Sequence, residues 1–106
     1  MSKFILSTLE EYILMSILAR DLYGLEIAKT IKTASEGKYK VSVGSLYPAL
    51  NKLTKKGLVE SYWGDEQLEE RNGARRKYYC ITGEGELALE QAHQIRLALA
   101  PTFQGI

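Results

Sequence analysis

Basic side chains are concentrated in two stretches of this chain, and their type and spacing suit the binding of a polyanion. Residues 29–57 contain seven lysines and a single acid, Glu36, which gives that stretch a net charge of +6. Residues 71–77 contain four cations and no acid, although the whole chain carries a net charge of only +1. Local clusters of this kind attract nucleic-acid phosphates, and they also occur as ordinary solvated surface. Charge alone therefore leaves both interpretations open.

Motifs for enzymatic or metal chemistry are absent from the sequence. It contains no phosphate-binding glycine loop, no nucleophile elbow and no cluster of metal ligands. The single histidine, His93, lacks a partner set for a metal, and the single cysteine, Cys80, excludes an internal disulfide. We therefore expect a protein that is not an enzyme and that uses no cofactor or metal.

The composition is that of one ordinary globular domain. The chain has 106 residues, of which 45% are hydrophobic and 25% are charged. No apolar run approaches the ~20 residues needed to cross a bilayer, and the first seven residues lack the features of a signal peptide. A lone cysteine suits a reducing compartment. We expect a cytoplasmic protein with a thin core, for which association with a second copy adds burial.

Hydrophobic periodicity predicts three helices in the first half of the chain. The first, over residues 8–20, is apolar nearly all round, which is typical of a helix buried on more than one side. The second covers residues 25–34, and the third covers residues 43–56 with Ser42 or Ser45 as its cap. A chain that opens with three helices of this length has the beginning of a helix-turn-helix domain.

The second half is predicted to form a β-hairpin and a last helix. Residues 58–63 and 77–81 alternate like strands, and Asn72-Gly73 between them is a turn signal. The pattern then returns to a helix that starts at Thr82 and ends before Pro101. We therefore predict a mainly α, α+β chain with a β-hairpin wing. Its order is α-α-α-β-β-α, that of a winged helix-turn-helix protein.

The third predicted helix combines an apolar stripe with a polar face. The apolar residues that recur at helical spacing are Val43, Leu46, Tyr47, Leu50 and Leu53. The polar residues off that stripe are Ser45, Asn51, Lys52 and Lys55. Asparagine reads adenine through two hydrogen bonds, whereas lysine more often contacts phosphate or guanine. This pattern favours a helix that enters the major groove of DNA.

Several short motifs resemble those of the PadR family of bacterial transcriptional regulators. They include the run Val-Gly-Ser-Leu-Tyr-Pro-Ala-Leu of the third helix and the run Asn-Gly-Ala-Arg-Arg-Lys-Tyr-Tyr of the wing. In order along the chain, the similar stretches are 23–27, 43–50, 57–59, 72–79 and 81–85. The resemblance implies a winged-helix homodimer in which the N-terminal and C-terminal helices form the dimer contact. It also implies repression of nearby genes, often relieved by a small molecule.

The chain departs from the family pattern in two respects. Many relatives carry a long C-terminal helical domain, whereas one helix follows the wing here, so the chain resembles the short subfamily. Some short relatives bind flat aromatic compounds through a tryptophan on the last helix. The only tryptophan here is Trp63, in the predicted hairpin, so that mode of binding is not expected.

The expected sites follow from these patterns and from the resemblance. The expected DNA-binding residues are Tyr23, Ser42, Ser45, Tyr47, Asn51, Lys52, Lys55, Arg71, Asn72, Arg75, Arg76 and Lys77. The expected dimer interface comprises Phe4, Leu6, Leu9, Ile13, Ala88, Ala92, Ile95 and Leu99. Residues 1–81 are expected to form the DNA-binding domain, and residues 82–106 a dimerisation helix in the same compact unit.

The expected partners are double-stranded DNA, a second copy of the chain and a small hydrophobic or aromatic inducer. Two alternatives remain open at this point. One is a winged helix used only for protein interaction, against which the two basic clusters argue. The other is an architectural DNA binder without sequence preference, against which the polar side chains of the third helix argue.

Overall fold

A computed structural model describes residues 2–65 and 75–100 of the chain. Its elements in chain order are α1 (Thr8–Ser16), β1 (Leu22–Tyr23), α2 (Gly24–Ala34), α3 (Val43–Lys55), β2 (Val59–Trp63), β3 (Lys77–Ile81) and α4 (Gly83–Leu99). The predicted fold class, mainly α with a β-hairpin wing, is confirmed. Helix α1 ends four residues earlier than expected, at Ser16.

The strand β1 lies between the first two helices, where the sequence predicted no regular element. It consists only of Leu22 and Tyr23, which pair with Tyr79 and Tyr78 of β3. Two residues are too few for an alternating pattern, so the strand exists because β3 offers it an edge to pair with. The result is a three-stranded antiparallel sheet in the order β1-β3-β2, with β3 in the centre.

Helix α1 lies at the centre of the helical layer and contacts α2, α3 and α4. Its residues Ile13 and Leu14 are fully buried, whereas Met15 in its last turn and Leu18 just beyond its end are 48% and 49% exposed. The core of the described residues consists of Ile13, Leu14, Ile17, Leu22, Ile27, Ile31, Leu46, Leu50, Leu53, Leu58, Val59, Tyr79 and Ala88. The apolar surface of α1 is therefore only partly buried within one chain.

Two local signals fix the ends of α3. Ser42 is the N-cap, and its hydroxyl oxygen accepts a hydrogen bond from the Ser45 N–H at 3.2 Å. Gly57 stops the helix in the left-handed conformation, with φ of 74°, which glycine adopts without a steric cost. Since the helix begins at Val43, Pro48 lies inside it and removes one backbone donor.

The start of α4 lies directly against the end of α3 and the beginning of β2. Thr82 caps α4 by accepting from the Gly85 N–H at 3.0 Å, and its own hydroxyl donates to the Gly57 carbonyl at 2.7 Å. A Cβ on Gly85 would overlap the carbonyl oxygen of Leu58. The absence of a side chain at this position therefore allows α4 to approach the sheet.

We predict that Gly85→Ala lowers the free energy of unfolding by about 1–3 kcal/mol, because the added methyl group must displace the Leu58 backbone. Urea denaturation followed by circular dichroism measures the change. Gly83→Ala is the matched control, since a Cβ there meets no atom within 4 Å. That variant should be as stable as the native chain or slightly more stable. Equal losses in both variants would contradict the packing argument.

Candidate nucleic-acid interface

Helix α3 has a buried side and a polar, exposed side. Leu46, Leu50 and Leu53 are each 0% exposed, so the rotation of the helix about its axis is fixed by the core. The polar residues Ser45, Asn51, Lys52 and Lys55 are all exposed, and so is the capping residue Ser42. The structure thus brings together five of the residues expected to bind DNA on one accessible surface of α3 and its cap.

Two residues of the expected apolar stripe are not in the core. Val43 is 60% exposed because it lies in the first turn of α3, beyond the buried leucines. Tyr47 is 36% exposed, although its position in the stripe favoured a core ring. A Cβ on Gly24 would lie 2.5 Å from the Tyr47 hydroxyl oxygen. The tyrosine therefore lies against the first residue of α2 and connects the two helices.

The described cations at the base of the wing are each held by a local contact. The guanidinium of Arg75 donates from Nε and Nη2 to the Gly64 carbonyl, at 3.2 and 2.8 Å. The guanidinium carbon of Arg76 lies 4.5 Å from the ring centre of Tyr23. The Nζ atom of Lys77 lies 5.7 Å from the Trp63 ring centre. Stacking against rings and a bidentate hydrogen bond restrict these long side chains.

Three tyrosines cross the outer face of the sheet in one row. Tyr78 on the central strand stacks with Tyr62, with ring centres 5.8 Å apart, and meets the edge of Tyr23 at 5.7 Å. The Tyr62 hydroxyl donates to Asp21 at 2.5 Å, and this hydrogen bond raises the pKa of Tyr62 to about 12. Tyr62 therefore stays protonated to a higher pH than an ordinary tyrosine. Tyr23, an expected DNA contact, thus packs against Tyr78 in this row and also contacts Arg76.

Two expected DNA-binding residues, Arg71 and Asn72, lie outside the described residues. The other ten are described, and they fall into two groups on neighbouring elements. The first group is the polar surface of α3 with Tyr47, and the second is the base of the wing with Tyr23, Arg75, Arg76 and Lys77.

Two acidic residues of α1 hold the helices that flank the interface, and the sequence analysis gave them no such role. Glu10 is 6% exposed and accepts from the Lys56 ammonium at 2.9 Å, directly after the last turn of α3. Glu11 is 8% exposed and accepts two hydrogen bonds from Arg96 of α4, both at 2.9 Å. Their partners are 46 and 85 residues away, so no local pattern could identify them.

The Glu10 carboxylate is more acidic in the folded chain than an ordinary glutamate. Burial raises the pKa of Glu10, but the hydrogen bond from the Ser7 N–H and the charge of Lys56 outweigh that effect, and the net pKa is lowered. The same carboxylate completes a capping box, since it accepts from the Ser7 N–H at 2.8 Å while the Ser7 hydroxyl accepts from the Glu10 N–H. One side chain thus stabilises the start of α1 and the end of α3.

The residues expected at a dimer interface form two groups, one buried in the core and one half-buried or exposed. Ile13 and Ala88 are 0% and 1% exposed and belong to the core of the single chain, so they have no surface to offer a second copy. Phe4, Leu6, Leu9 and Ala92 are half-buried, while Ile95 and Leu99 are 41% and 80% exposed. Six of the eight residues therefore retain accessible apolar surface.

Within the described residues, no group of histidine, cysteine or acidic side chains is arranged to hold a metal ion. In that part of the chain, none of the helices has the length and apolar character needed to span a membrane.

The geometry is that of a winged-helix transcriptional regulator, and comparison with known proteins gives its family. The model of the PadR-like transcriptional regulator family matches residues 13–91. A solved transcriptional regulator from Clostridium thermocellum is 30% identical, with a TM-score of 0.75 over 92% of this chain and 90% of that one. A PadR family transcription regulator from Clostridium difficile is 31% identical, with a TM-score of 0.70 over 92% and 99% of the two chains. An uncharacterized protein from Lysinibacillus sphaericus is 34% identical over 90 residues, which are 85% of this chain and 79% of that protein. The chain belongs to the PadR-like family.

We predict that the Glu10 carboxylate contributes to acid unfolding. Because its folded-state pKa lies below the ordinary value of 4.5, its stabilising effect is complete above that value and is lost as the pH falls through the folded-state pKa. Urea titrations at a series of acidic pH values should show a flatter dependence for Glu10→Gln. At neutral pH the same variant should lose about 1–2 kcal/mol, since the hydrogen bond to Lys56 loses its charge.

The control for this experiment is Glu36→Gln. Glu36 lies 4.0 Å from Lys38 with both side chains 84% exposed, and exposed pairs of this kind contribute little. Its substitution should leave both the stability at neutral pH and the acid slope unchanged. A Glu10→Gln variant with the slope of the native chain would show that another group governs this part of the acid transition.

Proposed function

We propose that this protein represses transcription by binding an inverted-repeat DNA operator as a homodimer in the cytoplasm. The observation that carries the proposal is the polar surface of α3, whose exposed asparagine, serines and lysines are backed by three fully buried leucines. A helix held in this way presents the same side chains to the major groove in every molecule. Membership of a regulator family and the two basic clusters support the same function.

The two halves of the interface are assigned different tasks. On α3, Asn51 and Ser45 read bases, and Lys52 and Lys55 contact phosphates or guanine. At the wing, Arg75 and Lys77 neutralise backbone phosphates beside the groove that α3 enters, whereas Arg76 lies against Tyr23 on the other face of the sheet. Arg75 and Lys77 are already held against a carbonyl and an indole ring, so they lose little side-chain freedom when DNA binds.

Dimerisation is supported by apolar side chains that one chain leaves uncovered. Met15, Leu18, Leu87, Ile95 and Leu99 lie on or next to α1 and α4 and are between 41% and 80% exposed. Apolar residues gathered on two neighbouring helices indicate a contact surface. A two-fold dimer formed through α1 and α4 places two copies of α3 on one side, as an inverted repeat with half-sites ~34–36 Å apart requires.

Induction is proposed to act through the same helices. A groove of about 590 Å³ between α1 and α4 is lined by the apolar residues Met15, Leu18, Leu87 and Leu89 and by the polar or charged residues Glu11, Glu86, Glu90, His93 and Arg96. A small hydrophobic or aromatic molecule bound there contacts both helices of the dimer surface and changes the spacing of the two α3 helices. This spacing determines whether both half-sites are bound at once.

Footprinting on the promoter upstream of the protein's own gene, with and without candidate inducers, tests the whole proposal. Protection of an inverted repeat that disappears with one compound is the expected result. Protection without sequence preference would identify an architectural DNA binder, and no protection on any duplex would favour a protein-interaction module.

We predict that the residues of α3 separate into two classes in binding experiments. Asn51→Ala should reduce discrimination between operator and random DNA by about 1–3 kcal/mol, because a base contact is lost. Lys55→Gln should weaken binding to both duplexes and lower the slope of log affinity against log salt by about 1. Fluorescence anisotropy across a salt series gives both quantities. If the two variants lose the same affinity on both duplexes, the division of tasks is wrong.

We predict that Ile95→Glu shifts the dimer to monomer, since two unpaired carboxylates would be placed in an apolar contact. A cost of about 2 kcal/mol or more raises the dissociation constant by about thirtyfold or more. Sedimentation velocity at micromolar concentration measures the state of association. Leu25→Glu is the matched control, because Leu25 is 57% exposed on α2, away from the proposed surface. A native chain that sediments as a monomer would refute the dimer.

A further inference from the structure

The inner face of the hairpin continues beyond the core of the domain. Side chains alternate along β2, so that Val59, Ser61 and Trp63 point to the face that packs against the helices. Exposure rises along this face from 1% at Val59 to 56% at Trp63. The indole therefore extends past the end of the core on the helical side of the sheet.

The residue opposite Trp63 in the antiparallel register is Lys77 of β3. Its ammonium nitrogen lies 5.7 Å from the indole ring centre, and both side chains are exposed. A large flat apolar surface and a cation thus lie side by side at the base of the wing. The core does not require this pair, since neither residue is among the buried ones.

The pair lies on the side of the sheet where α3 is found. Tyr79, two residues after Lys77 on the same face, is 5% exposed and belongs to the same buried core as Leu46, Leu50 and Leu53 of α3. The opposite face carries the row of Tyr23, Tyr78 and Tyr62. Trp63 and Lys77 therefore lie on the face of the sheet on which α3 packs, whereas that row lies on the other face.

We propose that Trp63 and Lys77 form a DNA-backbone contact at the base of the wing. The indole packs against a deoxyribose next to the groove that α3 enters, and the Lys77 ammonium binds the adjacent phosphate. The proposal rests on the proposed function, because it requires DNA to lie against α3. Two arguments favour a duplex as the occupant: the pair lies on the face of the sheet on which α3 packs, and it combines a ring with a charge. Aromatic side chains contribute large contact area at low cost in conformational entropy.

The experiment uses the native chain, because Trp63 is its only tryptophan. A random-sequence duplex of about three helical turns is suitable, since a backbone contact does not depend on base sequence. At about 50 mM salt, where backbone binding is strong, anisotropy of a labelled duplex measures binding. In parallel, indole emission with the unlabelled duplex measures the contact at Trp63. The expected result is quenching of the indole emission along the same binding curve.

Variants give an independent measurement. Trp63→Ala should weaken binding to the random duplex about tenfold, or about 1.4 kcal/mol, and Trp63→Phe should restore most of the affinity. Lys77→Gln should lower the salt slope by about 1. Tyr62→Ala is the matched control, since Tyr62 is the neighbouring exposed aromatic residue on the opposite face, 45% exposed. Its affinity for DNA should equal that of the native chain.

Three results would overturn the proposal. If anisotropy rises while the indole emission stays constant, or if Trp63→Ala binds as tightly as the native chain, the contact is absent although DNA binding by α3 stands. If the emission shifts as the protein concentration is raised without DNA, Trp63 belongs to a protein contact instead. If no duplex raises the anisotropy, the proposed function fails together with this inference.

Discussion

The position of α3, the helix that we propose reads DNA, depends on a pair of adjacent carboxylates in α1. Glu10 binds Lys56 at the end of α3, and Glu11 binds Arg96 of α4, with heavy-atom distances of 2.9 Å in both cases. The side chains of Glu10 and Glu11 are only 8% and 11% exposed, so removing either cation would leave a charge in a site that water reaches poorly. Buried pairs of this kind are costly to break from one side, even where they add little net stability. Helix α1 therefore connects the last helix of the chain to the helix that carries the polar surface.

The other end of α3 is held by close packing of side chain against backbone. Tyr47 lies against the backbone of Gly24, and any side chain at that position would displace its ring. Between the two ends, the buried leucines fix the rotation of the helix, and Ser42 and Gly57 set where it begins and stops. Charge pairing at one end and close packing at the other leave α3 with a single orientation. The polar side chains need such an orientation if each is to meet one base position.

Elements with a long repeating pattern could be predicted from the sequence, and contacts between distant residues could not. The four helices and the hairpin follow from periodicity and caps, and the polar side of α3 follows from the same helical geometry. Strand β1 escaped prediction because two residues have no period, and Val43 and Tyr47 are more exposed than their positions in the stripe suggested. The roles of Glu10 and Glu11 depend on partners brought near by folding, and adjacent glutamates in the first turn of a helix are equally typical of a favourable interaction with the helix dipole.

The wing shows why a basic run in a sequence does not by itself define a binding surface. Among Arg75, Arg76 and Lys77, consecutive residues are held by three different partners: a carbonyl, a tyrosine ring and an indole. Each contact restrains a flexible cation before any partner arrives, and a restrained cation loses less entropy when it binds a phosphate. Side chains alternate along a strand, so Arg76 and Lys77 point to opposite faces and their charges lie on different sides of the sheet. The charge on the side of α3 is therefore smaller than the sequence total, and it lies beside the exposed ring of Trp63.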